Sequence, residues 1–228
     1  MIPQHVTDAI NAADYTIGSD ESGYGSYAGN MVVCAVVLSK DWPLTHLVKD
    51  SKSFQGKTAR ARRDAVAKQI LASLTYAIVS NTPAEIDERG VWKVLHAAHT
   101  KAIDAVIAKH KAMGVIGTYA VIVDGNMKIP YGNGQQALSL PKADALIPAV
   151  SAASILGKVA HDHHMDKMAV KFPGYGFESN SGYGGNAAHD EGLKKLGVCE
   201  IHRKSYGPIA KLIEETEKHV SLEDFSDD

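Results

Sequence analysis

Cysteine, aromatic residues and long apolar runs are all scarce in this chain, and each scarcity excludes something. Two cysteines in 228 residues, Cys34 and Cys199, cannot build a disulfide scaffold, and the expected state is two reduced, unpaired thiols. No stretch of about 18 consecutive apolar residues occurs, which excludes a membrane-spanning helix. The opening Met1-Ile2-Pro3-Gln4-His5 lacks the basic-then-apolar pattern of a secretory leader, so a cytoplasmic location is expected. Neither sign of charge dominates: the net charge is −2, which excludes a uniformly basic nucleic-acid binder.

Composition is otherwise that of an ordinary folded protein, 45% hydrophobic and 22% charged. The length fits one α/β domain with a sizeable core, expected to be a monomer. Charge is unevenly placed. Between Lys49 and Lys68, seven basic residues (Lys49, Lys52, Lys57, Arg60, Arg62, Arg63 and Lys68) face two acids, Asp50 and Asp64. From Glu214 to Asp228, seven acids stand against Lys218, a local −6 that leaves +4 on residues 1–213. The basic strip reads equally as a phosphate-neutralising surface or as the solvated face of an amphipathic helix. The segment 221–228 has little to bury and is expected to fray.

The densest chemical signal is Ile17-Gly18-Ser19-Asp20-Glu21-Ser22-Gly23-Tyr24-Gly25. A short apolar run ends in two adjacent acids, and a Gly-x-Gly turn follows. Side chains alternate along a strand, so Asp20 and Glu21 are expected on opposite sides of its end. Crowded carboxylates repel unless a cation holds them, and hard divalent ions such as Mg2+ or Mn2+ take oxygen ligands. The glycines let backbone N–H groups approach a ligand closely. These nine residues fit a metal-dependent site acting on a phosphate-containing polymer, and equally an acidic turn between two strands.

The rest of the chain reads as alternating strands and helices. Strands are expected over 15–20, 31–38, 75–79 and 118–123, the first three as antiparallel neighbours. Helices are expected over 57–74, 91–111 and 148–168, with a short one opened by Pro83 and two more near 189–196 and 208–219. Residues 126–141 and 172–186 read as glycine-containing loops. The small residues Ala149, Ser151, Ala152, Ala153 and Ser154 suit close helix–sheet packing. A layered α/β fold with a mixed sheet follows.

Asp124 repeats the setting of Asp20, an acid at the end of an apolar strand followed by glycine. Asp144 precedes the small-residue helix, where it reads either as a ligand or as a helix-entry cap. Together Asp20, Glu21, Asp124 and Asp144 suit two divalent ions. Such a pair activates a water and stabilises the leaving oxygen in phosphodiester cleavage.

An ordered set of short blocks resembles ribonuclease HII. The blocks are Gly18-Ser19-Asp20-Glu21-Ser22-Gly23-Tyr24-Gly25, Asp50-Ser51-Lys52, Val123-Asp124-Gly125-Asn126, Lys142-Ala143-Asp144, residues 151–159 (Ser-Ala-Ala-Ser-Ile-Leu-Gly-Lys-Val), Gly182-Tyr183 and His202-Arg203-Lys204-Ser205-Tyr206. Any one is weak; the ordered set across residues 15–210 is specific. The resemblance implies a ribonuclease H-like fold with a core over about 14–170, a C-terminal helical extension over about 171–220 and the acidic tail 221–228. It implies endonucleolytic cleavage of the RNA strand of RNA–DNA hybrids, including 5′ of ribonucleotides embedded in DNA, leaving 3′-hydroxyl and 5′-phosphate ends. The four acids become catalytic metal ligands. Gly23, Tyr24 and Gly25 become the loop whose backbone reads the 2′-hydroxyl, the group that separates RNA from DNA. Tyr183 becomes the ring that stacks on the next sugar. Lys52, Arg203 and Lys204 become phosphate contacts, with a structural carboxylate partner as the alternative for Arg203. Ser151 and Ser154 become hydroxyl contacts or helix-packing residues.

The chain departs from that pattern in four places. Tyr24 stands where the family usually has Arg or Lys. Ala143 replaces the usual glycine of Lys-Gly-Asp. The Lys-Val-x-Arg-Asp pattern reads Lys158-Val159-Ala160-His161-Asp162, a titratable group in place of a fixed charge. After Tyr183 the loop continues as Gly184-Gly185-Asn186 and looks longer than usual. The first block also resembles ribonuclease HIII, but Asp144 as the fourth acid and only about 14 residues before the first strand favour HII.

Other clusters are weaker. His161, His163 and His164 lack the ligand set of a zinc site and read as exposed helix histidines. His189 and His202 read as phosphate-side or structural. Ser221-Leu222-Glu223-Asp224-Phe225 faintly resembles a sliding-clamp binding peptide. Rival readings are a two-metal DNA nuclease of the same fold, a non-catalytic hybrid-binding protein, and an unrelated carboxylate-rich enzyme.

Overall fold

A computed structural model describes residues 1–49, 54, 56 and 58–223. In chain order its elements are α1 (Gln4–Ala12), β1 (Tyr15–Ser22), β2 (Met31–Ser39), α2 (Thr45–Lys49), α3 (Ala59–Ser73), β3 (Thr75–Asn81), α4 (Pro83–Arg89), α5 (Val91–Ala112), β4 (Tyr119–Asp124), β5 (Pro130–Tyr131), β6 (Gln135–Gln136), β7 (Leu138–Leu140), α6 (Pro148–Lys171), α7 (Phe177–Asn180), α8 (Ala187–Leu196) and α9 (Gly207–Glu223). A 3-10 turn, Ala143–Ala145, lies before α6. The chain divides into two compact units, one of Met1–Ser22, Val32–Ser80 and Leu95–Ala160, the other of Gly23–Met31, Asn81–Val94 and His161–Asp228.

The first unit is built on a mixed sheet in the order β3-β2-β1-β4-β7. β1 and β2 run antiparallel, with Tyr15 opposite Ser39 and Ser22 opposite Val32. β4 runs parallel to β1, and β7 parallel to β4. β2 is a continuous apolar, β-branched run, and all but its last residue is buried, as a central strand covered on both faces requires. On one face Cys34, Val36, Leu38 and Ile122 pack with Ala149, Val150, Ala152, Ala153 and Leu156 of α6 and with Val66, Ala67 and Ile70 of α3. Each such buried Val, Ile or Leu contributes about 2 kcal/mol relative to exposure. Gly18 shows why α6 opens with small residues. A Cβ there would lie 2.2 Å from Ala149 C and Val150 N, so the helix backbone rests directly on the bare strand.

The second unit has its own core of Ala28, Met165, Tyr175, Phe177, Leu193, Ile201 and Ile209. Tyr175 and Phe177 stack with centroids 5.2 Å apart. α4 begins with a complete capping box: Thr82 accepts from the Glu85 amide at 3.3 Å, and Glu85 accepts from the Thr82 amide at 2.7 Å.

The mixed sheet with flanking helices and a C-terminal helix is as expected. The antiparallel β1–β2 pair and the long helices fall near their expected bounds. Six elements were not foreseen, the two-residue strands β5 and β6 among them. α1 has no side-chain cap and follows Pro3. α2 has five residues and α7 four, while β7 has three and lies inside the segment read as loop. α9 runs to Glu223, three residues into the expected tail. The remaining tail residues and Lys52 lie outside the described residues.

Candidate active site

Asp20 and Glu21 end β1 on opposite faces. Asp20 lies in register with Cys34, whose side chain joins the α6-facing core, and its carboxylate is hydrogen-bonded by Ser154 of α6. Glu21 turns to the α5 face, where Oε2 stands 3.5 Å from His99 Nε2. The Ser19 hydroxyl donates to the Cys34 carbonyl at 3.1 Å, so it accepts from His99 Nδ1 at 2.9 Å. That leaves His99 Nε2 aimed at Glu21, and His99 is fully buried. His99 is a site neighbour the sequence did not signal, being one histidine among the apolar positions of α5.

Asp124 ends β4, and the 3-10 turn carries Asp144 to it. Lys142 enters it at φ 62°, a left-handed backbone that a non-glycine residue adopts at a cost of about 1 kcal/mol. The turn aims the Ala143 amide at Asp124 Oδ1 (2.5 Å) and the Asp144 amide at the same oxygen (3.4 Å). Ser151 donates to the Asp144 and Ile147 carbonyls and tethers the turn to α6.

The four acids form one electrostatic group. Burial pushes the Asp20 carboxyl up to about 8, and Glu21 and Asp124 add to the rise against the Ser154 hydrogen bond. Asp124 is also raised, by burial and then by Asp144, against the two backbone N–H donors. Glu21 Oε2 is buried without a hydrogen-bond partner. Among the described residues no three His, Cys, Asp or Glu side chains form a ready coordination shell. The all-oxygen donor set, the orphaned Glu21 oxygen and the raised Asp20 nevertheless fit hard divalent cations, which would relieve the repulsion.

Of the expected substrate residues, Gly23, Tyr24, Gly25, Tyr183, Arg203 and Lys204 fall in the second unit, and Ser151 and Ser154 in the first. Gly23 is buried with φ +78°, whereas Tyr24 and Gly25 are exposed. Tyr183 is 37% exposed, and its hydroxyl accepts from the Gly23 amide at 3.2 Å. Tyr27 and Ala28 amides donate to the Gly182 carbonyl at 2.8 and 3.2 Å, and the Gly29 amide to Ile201 at 2.9 Å. The loop 23–29 is thus stitched to residues 182 and 201.

Arg203 and His161 need correction, and Ser151 takes the helix-packing role given as its alternative. Arg203 is fully buried and cannot meet a phosphate directly. Its Nε and Nη2 donate to the Gly29 carbonyl at 3.1 and 2.9 Å, and Nη1 donates to the Tyr24 carbonyl and Tyr206 hydroxyl, both at 2.9 Å. It shapes the glycine loop through carbonyl oxygens. Ser151 is 3% exposed, with its hydroxyl committed to backbone. His161 is fully buried rather than exposed, because α6 turns that face inward; His163 is exposed. His189 and His202 are structural: their Nε2 atoms meet at 3.1 Å, with Tyr183 O and Cys199 N as outer partners, each 2.9 Å away. Both thiols are free.

Comparison with known proteins bears on this geometry. The family profile of Ribonuclease HII matches residues 17–208. A "Ribonuclease HII" of Jannaschia sp. (strain CCS1) is 39% identical over 196 residues, covering 86% of this chain and 91% of the relative. Another from Shewanella piezotolerans is 37% identical, covering 92% and 95%. Among solved structures, the ribonuclease H2 from Pyrococcus horikoshii OT3 aligns with a TM-score of 0.72 at 25% identity, covering 90% of this chain and 99% of that one. The PCNA:RNase HII complex from Archaeoglobus fulgidus aligns at 0.69 and 25%, covering 84% and 94%. A Bst-RNase HIII in complex with Mn2+ shares the fold, at 0.69 and 20% identity, with 92% and 73% covered.

Proposed function

The chain belongs to the ribonuclease HII family of endoribonuclease hydrolases, and on that premise we propose that it cuts the RNA strand of RNA–DNA hybrids, including 5′ of ribonucleotides embedded in DNA. The observation that carries the reading is the placement of Asp20 and Glu21 at the end of β1 beside the parallel β4, whose terminal Asp124 takes the Ala143 and Asp144 amides. Asp20, Glu21, Asp124 and Asp144 hold two ions, Mg2+ or Mn2+. When bound, these supply the Lewis acidity for in-line phosphodiester hydrolysis to 3′-hydroxyl and 5′-phosphate ends. Ser154 orients Asp20, while the Ala143 amide and Ser151 hold the turn that carries Asp144.

In the second unit the backbone of Gly23, Tyr24 and Gly25 reads the 2′-hydroxyl, and the Tyr183 ring stacks on the following sugar. Arg203 fixes the Tyr24 carbonyl for that task. Lys52 serves as a phosphate contact. The whole chain acts as one ribonuclease HII-like domain, monomeric and cytoplasmic. No helix among the described residues is long and apolar enough to cross a membrane. A sliding clamp is the protein partner proposed for the 221–225 segment, as the Archaeoglobus fulgidus neighbour was solved with PCNA.

Three matched duplexes test the reading: DNA with one ribonucleotide, a full RNA–DNA hybrid, and all-DNA, each with Mg2+, Mn2+ or chelator. Metal-dependent cutting 5′ of the single ribonucleotide supports it. Cutting of all-DNA favours the DNA nuclease, and binding without cutting favours a non-catalytic protein.

A further inference from the structure

Both ring nitrogens of His161 point at acceptors. Nδ1 lies 3.1 Å from the Asn30 carbonyl oxygen and Nε2 3.1 Å from the Ser181 carbonyl oxygen. The ring is fully buried. A carbonyl oxygen only accepts, and a neutral imidazole has one N–H and one bare lone pair. A neutral ring would therefore bury a lone pair against an oxygen and forfeit a hydrogen bond in a site closed to water. The imidazolium satisfies both contacts.

The acceptors are well placed to matter. Ser181 has φ 50°, a left-handed backbone at a non-glycine residue, and it begins the turn that presents Gly182 and Tyr183. Asn30 ends the loop that begins at Gly23. The His161 ring also lies under both ends of that assembly. A Cβ on Gly23 would come within 2.5 Å of its Cε1, and the Tyr183 ring meets it edge-on with centroids 6.1 Å apart.

From these contacts we infer that His161 is a positioning residue held as a cation at neutral pH: its imidazolium ties Asn30 to Ser181 and thereby sets the glycine loop and Tyr183 for the ribonucleotide. This inference rests on the substrate roles proposed above for Gly23 and Tyr183. Tyr183 stands edge-on, and Tyr24 and Tyr27 belong to the 23–30 loop. Asp162, next on α6 and 6% exposed, accepts from the Ser181 hydroxyl at 3.0 Å. One turn to either side on α6 stand Lys158 and His164. The arrangement also accounts for the departure at this position, since a histidine held as a cation carries the charge that an arginine would.

Nitrogen-15 NMR of the histidine rings in the intact protein tests the charge without reference to activity. The expected spectrum shows protons on both His161 nitrogens at neutral pH, above the range where a free imidazole, with a pKa of about 6.5, has released one. A bare nitrogen at neutral pH overturns the inference. Kinetics test the positioning. His161→Arg keeps cleavage of the single-ribonucleotide duplex within a few-fold of wild type. His161→Gln, with one donor group and one acceptor, loses about tenfold or more in kcat on that duplex, as a misplaced reactive geometry does. Equal rates for wild type and His161→Gln also overturn it. If the wild type cleaves none of the duplexes, the ribonuclease reading fails instead, and the nitrogen spectrum still decides the charge.

Discussion

The Gly23 amide donates to the Tyr183 hydroxyl at 3.2 Å, joining residues 160 positions apart in the chain. One hydrogen bond thus couples the loop proposed to read the 2′-hydroxyl to the ring proposed to stack on the next sugar. Tyr183→Phe removes the acceptor and keeps the ring. A neutral hydrogen bond is worth about 1 kcal/mol, so a loss of several-fold in kcat/KM is expected. Tyr183→Ala also removes the stacking surface. It should reduce cleavage at a single-ribonucleotide junction more than cleavage of a long hybrid. Rates on the two duplexes, compared for both variants, decide the matter, and an equal loss on both would defeat the junction-reading role.

The two glycines of the loop should answer differently to alanine. Gly23 has φ +78°, and a Cβ there would collide with His161 at 2.5 Å. Gly23→Ala is expected to cost more than about 1 kcal/mol of stability, visible as a lower Tm. Gly25 has an ordinary φ, and a Cβ would meet Tyr183 Cε1 at 3.8 Å, a normal contact. Gly25→Ala should therefore melt like wild type, and any loss of cleavage reports on access of the substrate to the backbone. Paired thermal melts and cleavage rates separate the two cases; a large drop in Tm for Gly25→Ala would contradict this account.

Burial and like charge at Asp20 make the metal-free protein sensitive to pH. Its carboxyl is raised from 3.8 to about 8, so the folded state keeps a proton that the unfolded chain releases near 3.8. That stabilisation is complete below 3.8 and is lost as pH rises through about 8, by an amount of a few kcal/mol. The His189–His202 pair has the opposite sign. His202 is pushed down from 6.5 to about 4 by burial and then by His189, so stability falls as pH drops from 6.5 through about 4. The two effects offset each other between about 4 and 6.5, so denaturant melts in chelator should show the Asp20 decline most clearly between about 6.5 and 8. Asp20→Asn should erase that decline and leave stability rising with pH between about 4 and 6.5. Mn2+ should raise the Tm of wild type near pH 8 and do so less for Asp20→Asn. No decline between about 6.5 and 8 in chelator would contradict the crowding argument.

The readable and unreadable parts of this protein differ for physical reasons. Asp20, Glu21 and Asp124 stood out because each ends an apolar strand, and an acid at such a place breaks the local pattern. The central strand β2 stood out because eight consecutive apolar residues, 31–38, leave no other placement. β7 did not, because three residues carry no period. Arg203 was misread because charge normally marks a surface, whereas here three backbone and hydroxyl oxygens, those of Gly29, Tyr24 and Tyr206, draw the guanidinium inside. His99 and His161 were opaque for the same reason. Their partners, Glu21, Ser19, Asn30 and Ser181, come from distant segments, and only the folded chain brings them together.

Asp124→Asn separates chemistry from architecture. Asp124 Oδ1 accepts the Ala143 amide at 2.5 Å and the Asp144 amide at 3.4 Å. An asparagine oxygen can accept both, so the 3-10 turn and Asp144 stay in place. The lost negative charge removes repulsion, because Asp124 is raised by burial and by Asp144. In chelator the variant should therefore melt at or above the wild-type temperature. Binding of a hybrid should fall little, since the proposed substrate contacts lie elsewhere. Cleavage should fall by at least about a thousandfold, as expected when a ligand of catalytic ions is neutralised. Gel-shift binding, thermal melts and single-turnover cleavage on one preparation read all three quantities. Near-wild-type turnover would remove Asp124 from the site.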